Sequence, residues 1–204
     1  MQRVLENTEE NERQKRAFII FNKKEIKTDL DTGQKIDTKI IKIFGQNGKS
    51  MEKLIEYNDK PQNEPAKESE LNLQTTLIER AEFTLVGTGV IDGHNIFVLE
   101  FKAKDENLKP KNRYEKALNY SEGRVYVDAN KMQVLKMNAW SVKSYWAVWL
   151  FVRVHSFAIE VEQEERFGVF VPKKMVLKYS INTMHDEIVS TYDNFRDLRE
   201  PTVP

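Results

Sequence analysis

The sequence predicts a soluble, single-domain, all-β protein built as a long antiparallel meander. Three observations carry this. Apolar and polar residues alternate with period two over most of the chain. Asn47 with Gly48, and Asp92 with Gly93, are strong hairpin signals. Turn residues recur at short intervals, which suits hairpins and leaves no room for the crossovers of a parallel sheet.

The elements follow in chain order. Residues 1–16 read as a short polar N-terminal helix with Val4 and Leu5 as its apolar anchors, docking weakly or capping an opening. Strand pattern begins at Ala17 and runs through Ile26. Asp31, Thr32, Gly33 and Gln34 make a turn, and a second strand covers 35–44. The Asn47-Gly48 turn leads into a third strand over 50–57. Residues 58–70, with Pro61 and Pro65, read as an exposed loop. A short helix is expected over 69–81, capped by Ser69, with Leu71, Leu73, Leu77 and Ile78 as its stripe. Strands 83–90 and 95–102 form a hairpin around Asp92 and Gly93. Residues 105–119 are polar, a loop with one turn of helix. Strands 123–128 and 133–140 flank a turn at 129–131. Three long strands complete the meander: 144–162, 167–180 and 186–195, joined by turns at 163–166 and near Asn182. The sheet thus occupies 17–195, and 199–204 is a disordered tail.

Composition bounds function as well as fold. The chain has 204 residues, 40% hydrophobic and 31% charged, which suits one globular domain. Its 32 Lys and Arg balance 32 Asp and Glu, so no global field steers it to nucleic acid. With no cysteine there is neither disulfide nor thiolate chemistry. The N-terminus lacks the apolar core of a signal peptide: either the protein is cytoplasmic, or the sequence begins after a cleaved leader. The longest uninterrupted apolar run, 145–152, is far short of the roughly 20 residues of a membrane-spanning helix.

No motif for chemistry survives inspection. His94, His155 and His185 lack metal-ligand spacing. Glu160, Glu162, Glu164 and Glu165 stand where a strand leaves for a turn and show no calcium-loop pattern. Gly87, Gly89 and Gly93 do not match the dinucleotide fingerprint and read as a kink or bulge before a turn. Neither Ser121 nor Ser156 sits in a nucleophile elbow. Catalytic residues, metal and cofactor are therefore all expected to be absent, and no enzyme is expected.

What remains is the apolar run 145–161. Read as one strand, it places Tyr145, Ala147, Trp149, Phe151, Arg153, His155, Phe157 and Ile159 on one face. Trp146, Val148, Leu150, Val152, Val154, Ser156 and Ala158 fall on the other. A half-buried antiparallel strand is apolar on one face only, so something must cover each of these. Either this is a central strand between two layers of its own domain, or one face lines a pocket for an apolar ligand. In the second case Tyr145, Trp149, Phe151 and Phe157 line it, and Arg153 with His155 orients the ligand.

Three segments carry a family resemblance. The first runs from Phe83 through Asp92-Gly93 to Lys102. The second is 121–130, with Gly-x-Val-x-Val-Asp ending at Asp128, followed by Val134 to Met137. The third is Phe167 to Lys173, with Gly168 and Pro172 in Gly-x-x-x-Pro. Together they resemble the bacterial outer-membrane lipoprotein-sorting proteins, relatives of the Lol carriers, over roughly 17–195. The resemblance implies an unclosed half β-barrel with helices over its concave face, and a cavity suited to an acyl chain or a lipoprotein. It also implies a periplasmic location, peripheral contact with a membrane or membrane protein, and no catalysis. The rival expectation is an assembly module that binds a protein through its sheet edge or apolar face.

Overall fold

The computed structural model describes residues 2–69, 73–148 and 151–199. Helix α1 (Gln2–Phe18) runs without a loop into β1 (Ile19–Asp29), which turns into β2 (Lys35–Gln46) and β3 (Lys49–Tyr57). Two-residue strands β4 (Lys60–Pro61) and β5 (Lys67–Glu68) fold back on β3, and α2 (Leu73–Arg80) follows. Next come β6 (Ala81–Ile91), β7 (His94–Ala103), α3 (Arg113–Leu118), β8 (Ser121–Asp128) and β9 (Val134–Ser141). The chain ends with β10 (Tyr145–Val148), β11 (Val152–Arg166), β12 (Val169–Ile181) and β13 (Met184–Asp197).

All pairings are antiparallel, in the order β4-β3-β2-β1-β13-β12-β11-β9-β8-β7-β6, with β10 on β11 and β5 on β3. The first meander grows outward from β1 and the second grows inward from β6. The C-terminal strands fill the gap, and β13 pairs β1 from Ile19↔Asp197 to Asp29↔Asp186. The outer strands do not pair with each other, so the sheet stays open, an unclosed half-barrel.

Local chemistry explains the turns. Asn47-Gly48 and Asp92-Gly93 have positive φ at both residues (52° and 73°, 48° and 82°), the mirror-image turn that matches strand twist. Gly45 has a different role: a Cβ there would lie 1.5 Å from the Arg16 carbonyl oxygen. The missing side chain lets the last turn of α1 pass directly over β2.

The structure moves several expected boundaries. Ala17 and Phe18 belong to α1. Ser69, expected as a helix cap, donates its N–H to the Ser50 carbonyl and its hydroxyl to Glu52, which ties it to β3. α2 is described from Leu73, and 70–72, Leu71 among them, lie outside the described residues. Arg199, expected in a loose tail, donates to Asp197 and to the Phe167 carbonyl; 200–204 lie outside the described residues. The turn expected at 163–166 sits at Phe167 and Gly168 instead (φ 54° and 76°). Cross-strand charge pairing accounts for the shift: Glu165 meets Lys131 and Glu162 meets Lys136, so the charged residues continue the strand.

The largest correction concerns 144–162, which is not one strand. The chain reverses between Val148 and Val152, with Tyr145 opposite Val154 and Trp146 opposite Arg153. β9 and β10 lie end to end along β11, interrupted at 142–144. A bulge at His155 follows: Val154 faces Ile181 and Ser156 faces Ser180, so the alternation of faces slips by one. The run reads as continuous because its reversal contains no Gly, Asn, Asp or Pro.

Phe167 is strained in its left-handed conformation, at about 1 kcal/mol for a residue with a bulky Cβ substituent. Phe167→Asn keeps the turn and relieves that strain. Urea unfolding should show a higher midpoint, worth about 0.5–1 kcal/mol, at unchanged slope.

Candidate functional site

One face of the sheet carries the main apolar core. Phe101, Val125, Val127, Val134, Met137 and Ala139 are buried there, with Phe83, Phe97, Leu99, Ile159 and Val161 packed around them. Helices cover this face: Val4 of α1, Leu77 of α2 and Leu118 of α3 are buried against it. The space left among Val4, Leu77, Phe83, Val125, Val127 and Met137 is about 10 Å³, room for no more than one water. The larger recess, about 590 Å³, lies between α1 and the β2–β3 turn and has Glu9, Glu12, Arg13 and Arg16 on its wall.

The helices differ in how they are held. The base of α2 is locked: Arg80 donates to Asn119 Oδ1, Glu115 and the Leu108 carbonyl, joining it to α3 and the loop before it. α1 buries Val4, Thr8 and Asn11, one residue per turn, and only the first is apolar. Asn11 acts like a strand residue. Its amide nitrogen donates to the Phe170 carbonyl at 2.9 Å, and its amide oxygen accepts the Phe170 N–H at 2.7 Å. Asn7 donates to the Lys131 carbonyl, and Gln133 donates to the Asn7 carbonyl. The Thr8 hydroxyl, 1% exposed, finds no hydrogen-bond partner among the described residues. Sequence reading missed Thr8 and Asn11, because a polar stripe gives no core signal; the spacing of Val4, Thr8 and Asn11 was the available clue.

The β8–β9 turn that receives α1 is itself braced. Asp128, 2% exposed, accepts the N–H groups of Asn130 and Lys131 and lies 2.6 Å from His94 Nδ1. Burial alone raises its pKa, but the Lys131 N–H, His94 and the Asn130 N–H together outweigh burial and hold it below the usual value. Its contribution to stability is present above the ordinary carboxylate pKa, about 3.9. That contribution is lost as pH falls through the depressed value. Asp128→Asn should be less stable at neutral pH and lose less stability below about pH 4, as read by chemical denaturation at a series of pH values.

The residues singled out in the sequence do not share one face. Tyr145 is buried, stacked on Tyr120 at 4.7 Å, and burial first, then the neighbouring Tyr120, pushes its pKa up to about 12. Phe157 is half-buried, with its N–H on the Ser141 hydroxyl. Phe151 is 75% exposed. Arg153 is exposed, over the Trp146 ring, and His155 is exposed at the bulge. Trp149 lies outside the described residues. The reversal and the bulge separate these side chains.

The other candidates are accounted for by structure. Glu160 and Glu162 share Lys136, Glu164 pairs with Arg166, and His185 lies 3.1 Å from Asp31. No group of three metal-ligating side chains occurs among the described residues. The Gly87 segment is a bulge, as expected: the register with β7 shifts between Leu85 and Gly87.

The sequence matches no protein-family model and no curated protein. Solved structures do match. A putative outer-membrane lipoprotein-sorting protein domain from Vibrio parahaemolyticus aligns over 98% of this chain and 94% of its own, at 12% identity and a TM-score of 0.52. A LolA superfamily protein from Nitrosomonas europaea aligns over 98% and 94%, at 13% identity and a TM-score of 0.51. This chain has the LolA-like fold. A DUF1329 family protein from Desulfovibrio piger shares it, over 96% and 92% of the chains, at 12% identity and a TM-score of 0.51. The LolA-like sheet with helices over one face is thus the arrangement that the hairpin motifs at 83–102 and 121–137 pointed to.

Tyr145 and Phe151 sit six residues apart in an apolar run, yet their energetic roles diverge. Tyr145→Ala should cost about 3 kcal/mol, as for a buried aromatic. Phe151→Ala should stay within about 0.5 kcal/mol. Thermal and urea unfolding of the two variants read this difference directly.

Proposed function

We propose that the protein is a non-enzymatic, periplasmic carrier of an acyl chain or a lipid-modified polypeptide. The ligand occupies the helix-covered face of the sheet, with α1 as a displaceable lid. One observation carries the reading: of the three helices that cover the wide apolar face, α1 has a buried stripe that is mostly polar. Burying Val4 contributes about 1.5–3 kcal/mol. Against this stand the unpartnered Thr8 hydroxyl, costing about 1–3 kcal/mol, and amide contacts that water replaces when the helix lifts. An acyl chain entering the same face gains about 0.8 kcal/mol per buried methylene, enough to displace α1 within a few carbons.

The ligand wall in this reading is Phe83, Phe97, Leu99, Val125, Met137 and Ile159. Tyr145 and Phe157 lie at its margin. Phe151, Arg153 and His155, exposed in the closed form, take no part in it. The solved structures that share this fold, an outer-membrane lipoprotein-sorting protein domain among them, support the same class of ligand.

Two substitutions in the lid should act in opposite directions. Thr8→Val removes the orphan hydroxyl at equal volume, stabilises the closed form by about 1 kcal/mol, and lowers fluorescent fatty-acid uptake roughly fivefold. Asn11→Ala frees the lid and raises uptake. Native mass spectrometry of protein purified from its own host should show a bound lipid. If no lipid is found and neither variant changes uptake, the face is ordinary core and the carrier reading fails.

A further inference from the structure

The β10–β11 hairpin ends unlike the other reversals of this chain. Those are built on Asn, Asp or Gly, as at Asn47, Asp92 and Asn182, each with positive φ. Between Val148 and Val152 the sequence is Trp, Leu, Phe. Phe151 is 75% exposed, Trp146 of β10 is 44% exposed, and Val142, in the break before β10, is 53% exposed. Phe151 and Trp146 in water are unfavourable unless something else takes them up.

The hairpin is built to hold them there. At its base, Tyr145 stacks on Tyr120 beside α3. At its end, Asn182 of the β12–β13 turn accepts the Arg153 N–H at 2.9 Å and donates its amide to the Phe151 carbonyl at 3.3 Å. The Asn182 N–H also donates to the Arg153 carbonyl. Two further exposed apolar side chains lie at this end of the sheet: Met184, the first residue of β13, and Leu30 in the β1–β2 turn, whose N–H donates to the His185 carbonyl.

Charge points to the occupant. Around the hairpin, residues 137–159 contain no Asp or Glu but do contain Lys143 and Arg153, whereas Lys131 and Lys136 lie toward the opposite end of β11 and Asp31 stands at this end, 3.1 Å from His185. Lys131 and Lys136 pair with glutamates of β11, and Lys143 pairs with Glu106. Arg153 meets no carboxylate among the described residues; it lies over the Trp146 ring at 5.8 Å and donates to the Ser144 hydroxyl. A tryptophan with a cation above it and bare apolar groups beside it is the composition of a membrane interface, where the ring lies at headgroup level and the arginine reaches a phosphate.

We propose that this end of the sheet docks on an anionic phospholipid bilayer. Phe151 and Trp146 enter the boundary between headgroups and acyl chains, and Arg153 binds lipid phosphate. The docking does not depend on the acyl site under α1, and either can fail alone.

The test is flotation of the full chain with vesicles of phosphatidylglycerol in phosphatidylcholine, against vesicles of phosphatidylcholine alone. The protein should float with the anionic vesicles, with a blue shift of tryptophan emission. Phe151→Ser should lower the partition coefficient roughly tenfold, and Arg153→Gln about fivefold. Val90→Ser, which removes another exposed apolar side chain on the edge strand β6, should leave it unchanged. Thermal melts confirm that each variant folds. Equal loss in Val90→Ser and Phe151→Ser, or binding indifferent to lipid charge, overturns the proposal. So does absence of vesicle binding, which would leave the surface to a protein partner.

Discussion

The pairing of β1 with β13 is the constraint from which the rest of the architecture follows. Every other long pairing joins strands close in sequence, but this one joins the two ends of the chain, Ile19–Asp29 with Met184–Asp197. It makes one sheet out of two meanders and leaves β3, flanked only by the two-residue β4 and β5, and β6 toward the edges. The chain must then travel from one edge to the other between β3 and β6. The segment that does so contains α2, which is why Leu77 comes to rest on the apolar face. The same pairing places the end of α1 beside β2, where Gly45 lets the helix cross. Closing so long a loop costs little more than closing a shorter one, about 0.6 kcal/mol per doubling of length. The arrangement is therefore thermodynamically accessible, though slow to form.

The helices over the apolar face are not held alike. α2 is pinned through Arg80 to Glu115 and Asn119, groups that are themselves largely buried. α1 is fixed by amide side chains on backbone carbonyls and N–H groups, with one buried valine and one orphan hydroxyl. That imbalance gives the carrier reading its physical content. A cover held by hydrogen bonds exchanges its partners for water at little net cost, whereas an apolar face left bare has a strong demand for some other cover. The exposed hairpin end, held by Asn182, is a separate device at one end of the sheet. It faces outward where the site under α1 faces the core.

What was legible in the sequence was local. Asn47-Gly48 and Asp92-Gly93 fixed two hairpins because a two-residue turn with positive φ selects those residues. The bulge near Gly87 was visible for a similar reason. The run 145–161 misled because its reversal uses aromatic and aliphatic residues, and because the bulge at His155 shifts the alternation on which face assignments rest. Asn11 on Phe170 and Asn182 on Phe151 join residues far apart in sequence through groups with no periodic signature. The candidate site accordingly moved from one supposed strand to a face assembled from β6, β7, β8, β9 and β11.

The central claim is that α1 is a lid over an apolar ligand face, and amide hydrogen exchange with and without oleic acid tests it most directly. The account predicts that oleic acid speeds exchange across Gln2–Phe18 while slowing it in β7, β8 and β9. The opposite result would contradict it: α1 amides that exchange only with global unfolding, at rates oleic acid does not change.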